Sequence, residues 1–292
     1  MRLAKKFFLF LNILIATFCF SGTQAQNKLP ILKSNKVTLL DDGVHETSGL
    51  VYFDNSFWTI NDSGGSTVLY RISPTNGKIM QQITISNAVN NDWEEITADD
   101  KFIYIADIGD NNHKRDEKQI YKLAKANILK NVKDRVMLAE VILFKYPDSD
   151  ESYNYNAEAM VSDGKVLHLF TKDLVESNHF TIPLKAGKYT AAYIEKLETQ
   201  GQVTGAALDS KSKSLILVGY LGFGNRLLWK LTDFTNTSYF KGKMKKYSLG
   251  PLTETSQVEA VCFDKSDHAY FSNESFGKVK QTLWLLGEDI FK

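Results

Sequence analysis

The chain has 292 residues, 43% hydrophobic and 12% aromatic, enough apolar material for one large core. Its 35 basic and 34 acidic residues leave a formal charge of +1, which gives no electrostatic case for nucleic acid or an anionic membrane as partner. The two cysteines, Cys19 and Cys262, cannot form an internal disulfide once the N-terminal segment is removed, which excludes a disulfide-stapled scaffold.

That segment reads as an export signal. Arg2, Lys5 and Lys6 precede an apolar run from Phe7 to Phe20, and Thr23-Gln24-Ala25 supplies small residues for cleavage after Ala25. The run is shorter than the ~20 residues a membrane span needs. The expected organisation is therefore a signal peptide over 1–25 and one domain over 26–292, periplasmic or extracellular, with no membrane association after cleavage. Losing those three basic residues and no acidic one takes the formal charge from +1 to −2.

Helical periodicity is scarce, and Ala124 to Asn131 is its best case. Elsewhere β-branched and aromatic runs alternate with Gly, Asn, Asp and Ser turns, which argues all-β. The runs also repeat. Five units open at Ser48, Glu94, Glu158, Gly205 and Glu259, spaced 46, 64, 47 and 54 residues apart, against ~40–50 for a propeller repeat. In the first unit the later strands are expected at Phe57–Ile60, Val68–Ile72 and Ile79–Ile85. The fifth unit reaches only a third strand, Thr282–Leu286, while an unassigned strand, Lys36–Leu40, precedes the first. The reading is a five-bladed β-propeller of four-stranded blades, closed by its N-terminal strand, with six blades as the alternative.

In such a ring the first strand of each blade lines the axis. The loops leading into it, and those between second and third strands, share one face. This collects His45, Glu46, Glu94, Glu95, Glu158 and Glu259 with Asn61, Asp62, Asp107, Asp110, Asn111, Lys172, Asp173, Arg226, Asn273 and Glu274. Converging carboxylates repel unless a cation, protons or basic side chains lie between them. Oxygen donors suit Ca²⁺ or Mg²⁺, whereas the histidines have no zinc spacing. The expected metal ligands are Glu94, Glu158, Glu259, Asp107 and Asp62. Lys172 and Arg226 are the basic residues placed near them. Trp93 is the one tryptophan placed at the channel mouth; the others are expected between blades.

The blocks Glu46-Thr47-Ser48-Gly49-Leu50, Asn61-Asp62-Ser63-Gly64, Asp92-Trp93-Glu94-Glu95-Ile96, Asp107-Ile108-Gly109-Asp110-Asn111 and Asn156-Ala157-Glu158-Ala159-Met160 resemble a group of secreted bacterial propellers with SGL, NDSG, DWEDI and GDIGDN motifs. The chain is similar more distantly to SdiA-regulated periplasmic and phytase-like propellers. Glu95 and Asn156 stand where the group has Asp. The phytase-like resemblance implies calcium and a phosphate ester, but the dense basic lining a polyanion requires is missing. The leading expectation is a Ca²⁺-holding module, Mg²⁺ being the other option, that binds a small-molecule, glycan or protein ligand at the mouth. The alternatives are a metal-dependent hydrolase of a phosphate ester, lactone or glycan, with Glu94, Glu158, Lys172 and Arg226 as catalytic candidates, and a purely structural interaction protein whose channel is sealed by internal hydrogen bonds.

Overall fold

The structure is a computed structural model that describes residues 29–62, 64–130, 133–147, 155–209, 211–222 and 224–291. The expected signal peptide and Ser63 lie outside the described residues. No helix among the described residues is long and apolar enough to cross a membrane.

Five sheets form a ring. Strand β1 (Ser34–Leu39) comes first. The first blade holds β2 (Thr47–Phe53), β3 (Ser56–Asn61), β4 (Val68–Ile72) and β5 (Ile79–Ile85). The second holds β6 (Trp93–Ala98), β7 (Phe102–Asp107) and β8 (Lys118–Ala124). The four-residue helix Lys125–Ile128 follows, then β9 (Arg135–Met137), which crosses to the first blade, and β10 (Glu140–Lys145), which completes the second. The third holds β11 (Ala157–Ser162), β12 (Val166–Thr171) and β13 (Ser177–Pro183). Its chain then gives β14 (Gly187–Thr190) to the second blade before β15 (Ala192–Leu197) returns. The fourth is β16 (Gln202–Asp209), β17 (Ser214–Tyr220), β18 (Asn225–Thr232) and β19 (Lys243–Pro251). The fifth is β20 (Val258–Phe263), β21 (Ala269–Asn273) and β22 (Thr282–Leu286), completed by β1 antiparallel to β22. The expected five blades and N-terminal closure are what the chain forms.

The two crossing strands are the departure from a plain four-stranded repeat. Strand β9 pairs parallel to β5, and β14 pairs parallel to β10, so each clasps the outer edge of the preceding blade. These clasps cover edges that would otherwise expose unpaired backbone groups. Residues 30–32 do the same for β19 through hydrogen bonds with Ser248.

The core is divided into apolar layers between blades, because the inner strands of a packed blade bury both faces, as β3 and β17 do along their whole length. Trp58, Ile83, Ile103 and Tyr121 fill the layer between the first and second blades. Leu50, Phe57, Cys262 and Leu283 fill the one that closes the ring between first and fifth. Cys262 is thus a buried strand residue, as its apolar run suggests. Trp93 also belongs to the core: fully buried, it packs on Tyr121 and donates its indole N–H to the Val89 carbonyl at 3.0 Å. It offers no ligand platform at the mouth.

Candidate functional site

Each innermost strand carries a register break against its neighbour, between Ser48 and Leu50, Trp93 and Glu95, Ala157 and Ala159, Val203 and Gly205, and Val258 and Ala260. The skipped residues are Gly49, Glu94, Glu158, Thr204 and Glu259. A β-bulge re-aims the side chain it carries. The three glutamates therefore share one position in the repeat and project to one rim of the channel.

They meet different surroundings there. Glu94 is 4% exposed, and oxygens of Asp62, Asp92 and Glu94 all lie within 4.8 Å of one another. Among the described residues no hydrogen-bond donor reaches the Glu94 carboxylate, which is buried beside other carboxylates. Burial, then Glu158, Asp62 and Asp92, pushes Glu94 well above the ordinary carboxylate pKa, and burial raises Asp92 as well. Gly109 roofs this group: a Cβ there would overlap Glu94 Oε1 and Asp92 Oδ2.

Glu158 instead accepts from Lys172 Nζ at 2.6 Å and from Asn156 Nδ2 at 3.2 Å. Burial still holds its pKa up against Lys172. Burial also works against the charge on Lys172, but Glu158 and Glu259 outweigh it, so the ammonium is held above its ordinary range. The same ammonium lies 5.6 Å over the Tyr220 ring. Glu259 accepts from Gln257 Nε2 at 3.0 Å and is raised by burial and Glu158. Glu274, at the next loop, is pushed up to about 7 by burial and Glu46. Six carboxylates thus crowd the mouth around Lys172, in surroundings of low polarity where like charges repel strongly.

Asp107 does not join them. Its carboxylate accepts from Asn91 Nδ2 and Gln119 Nε2, each at 2.8 Å, and from the Asp92 backbone N–H at 3.0 Å, and it pairs with Arg115 at 2.8 Å. It shapes the loop that presents Asp92. Asp110 is likewise committed, to buried Lys118 at 2.7 Å. Arg226 lies apart, over Phe271 between the fourth and fifth blades, donating to the Leu249 carbonyl. Its Nε and Nη1 have no partner among the described residues, and burial lowers its pKa to about 10. His45 and Glu46 stand outside β2, half-exposed and 3.7 Å apart. Of the five metal ligands expected from the sequence, the structure brings Asp62 and Glu94 into one group and adds Asp92. It ties Glu158 to Lys172, gives Glu259 to Gln257 and assigns Asp107 to the loop.

Directly below this group, Glu95 closes the axis. Its fully buried carboxylate accepts from the backbone N–H of Ile96 and of Ala206, each at 2.9 Å, and the backbone N–H groups of Leu50 and Met160 also favour its charged form. Four inner strands thus converge on one side chain. Gly49, at φ +65°, makes room for it, since a Cβ there would sit 2.8 Å from Glu95 Oε1 and against the backbone of Ile96. Beyond the plug, on the opposite face, the channel opens as a funnel of about 850 Å³ lined in part by Leu50, Ile96, Ala206 and Cys262. The acidic group and this funnel are therefore on different faces.

No protein-family model matches the sequence, and no curated protein matches it. Solved structures do match. A glutaminyl cyclase from Myxococcus xanthus aligns with TM-score 0.51 at 8% identity, over 89% of this chain and 97% of that one. The PQQ-bound aldose sugar dehydrogenase from Streptomyces coelicolor aligns with TM-score 0.48 at 9% identity, over 89% and 100%. A gluconolactonase from Xanthomonas campestris aligns with TM-score 0.46 at 12% identity, over 89% and 87%. At such identities the likeness is one of fold.

Proposed function

We propose that this propeller is an exported binding module that holds a divalent cation, Ca²⁺, at its channel mouth between Asp62, Asp92 and Glu94. The observation that carries the reading is the clustering itself: three carboxylate oxygens within 4.8 Å of one another, one belonging to a buried glutamate that receives no hydrogen bond among the described residues. Hard oxygen donors without His or Cys favour Ca²⁺ or Mg²⁺. An open rim and mixed Asp and Glu ligands suit the larger ion, which tolerates irregular geometry and completes its ~6–8 ligands with water or ligand oxygens. An affinity near 10⁻⁴–10⁻³ M, ordinary for extracellular calcium modules, would suffice outside the cytoplasm.

The other carboxylates support this role from the side. Lys172 pairs with Glu158 and is held charged by Glu158 and Glu259, which directs its ammonium to their side of the mouth. The test is a calorimetric titration of Ca²⁺ into chelator-treated protein, paired with melting curves. Saturable heat and a rise in melting temperature are expected. No heat and no change in melting temperature would refute the reading.

A further inference from the structure

The rim of the same mouth carries apolar side chains that the cation reading leaves unexplained. Leu174 and Val175 are 52% and 59% exposed, Leu221 is 46% exposed and Phe276 is 72% exposed. All lie in loops joining second to third strands, where polar turn residues are the rule. Each loop is rooted in the acidic mouth. Lys172 precedes Leu174 by two residues and holds Glu158. Tyr220 precedes Leu221 and accepts from Gln257, whose carbonyl receives the Glu274 N–H two residues before Phe276. Exposed apolar groups on the rim of a buried polar centre, here on the loops of the third, fourth and fifth blades, are the layout of a protein-docking surface.

The acidic centre specifies what that partner inserts. A lysine ammonium has three donors, and here three carboxylate oxygens converge. Donors at tetrahedral angles, with bonds of about 2.8 Å, set their acceptors about 4.6 Å apart, which fits oxygens lying within 4.8 Å of one another. Glu94, buried and without a donor among the described residues, is aimed into this space. Lysine also carries a four-carbon stem that can cross an apolar rim while its head stays polar.

We propose that the mouth docks a protein segment that inserts a lysine between Asp62, Asp92 and Glu94 and lays flanking apolar residues on Leu174, Val175, Leu221 and Phe276. This rests on the cation reading of the three carboxylates and makes calcium and lysine competitors for them. The probe is a fluorescein-labelled peptide, Gly-Leu-Phe-Lys-Leu-Phe-Gly, followed by anisotropy against the full chain. Saturable binding is expected that calcium displaces. Glu94→Gln weakens it about thirtyfold or more, as loss of a buried charge partner does. Leu221→Ser with Phe276→Ser weakens it about fivefold or more. Peptides with glutamate for lysine, or serine for all four flanking residues, bind far less. Absence of saturation at millimolar peptide, equal binding of the control peptides, or indifference to these variants overturns the proposal. The Leu221→Ser, Phe276→Ser protein keeps every carboxylate, so its calcium titration separates the two readings. In the wild-type chain, calcium heat without peptide binding sinks the docking surface alone. Peptide binding without calcium heat sinks the metal reading alone, and loss of both in the wild-type chain removes both.

Discussion

Gly109→Ala tests the cation site without touching a ligand. The added methyl would lie well inside the 3.0 Å that real Cβ carbons keep from neighbouring atoms, and the atoms it meets are Glu94 Oε1 and Asp92 Oδ2. Ordinary van der Waals separation requires these oxygens to retreat by about 1 Å. Two oxygens bound to one Ca²⁺ can be no more than about 5.2 Å apart, twice the longest bond. The three here already span up to 4.8 Å, so such a retreat carries two of them out of bonding range. Losing two carboxylates is expected to weaken calcium at least about a hundredfold, or about 2.7 kcal/mol. The fold should lose about 1–3 kcal/mol from overpacking at most. Isothermal titration reads the first quantity and urea unfolding of the calcium-free protein reads the second. Unchanged calcium affinity in a folded Gly109→Ala protein would refute the placement of the ion.

Other substitutions probe separate parts of the same arrangement. Glu94→Gln removes a buried charge that lacks a donor, so the calcium-free protein should gain roughly 1–3 kcal/mol in urea unfolding while its calcium-dependent rise in melting temperature disappears. A destabilised Glu94→Gln protein would mean that the carboxylate has a structural partner. Glu95→Ala orphans the backbone N–H groups of Ile96 and Ala206, at roughly 1–3 kcal/mol each, and should destabilise by about 2–6 kcal/mol; a loss below about 1 kcal/mol would show that the plug is dispensable. The buried pair His168 and His179, 2.8 Å apart and flanked by Asp163, Glu195 and Tyr239, gives an acid-sensitive term. Burial and then His179 lower His168 from 6.5 to about 4, so the unfolded chain binds the proton more tightly. Stability is then full above pH 6.5 and falls towards pH 4, by roughly 3 kcal/mol in all. Urea midpoints measured from pH 7.5 to 4.5 should fall more steeply for the wild type than for His168→Gln, and parallel curves would exclude the pair as the cause.

The ring was legible because its local signals agree with its global form. The bounds of β4, β5 and β22 coincide with the expected runs, since each is a short run rich in apolar residues between turn residues. The clasps β9 and β14 were not legible. Arg135–Met137 and Gly187–Thr190 are too short to show a period, and their parallel pairing depends on a neighbouring blade already being in place. The shared position of Glu94, Glu158 and Glu259 could be read from repeat alignment, but Gly49 and Thr204 could not be seen as its other members without the bulges. Asp92 escaped the list of ligands because it lies in a loop whose course is set by Asp107, Asn91 and Gln119 together. Asp107 was read as a ligand from its place at a strand end; its donors, among them Arg115 from eight residues on, decide otherwise.

Glu94 and Glu95 are neighbours in sequence, both buried, with opposite fates, and the contrast separates what the fold needs from what it does not. Glu95 supplies acceptors to the backbone N–H groups of Ile96 and Ala206 at the axis, where they would otherwise lack partners. Its presence follows from closing the ring. Glu94 sits one position earlier, on the bulge, and among the described residues nothing donates to it. Burying such a group costs stability, and a neutral or apolar residue at the same bulge would fold at least as well, as Gly49 and Thr204 do at theirs. The fold therefore does not explain Glu94, and the proposed cation, metal ion or ammonium, would: its charge would supply what the backbone supplies to Glu95. If Glu94→Gln is found to weaken the ring as Glu95→Ala is expected to, this separation of roles is wrong and the mouth is architecture throughout.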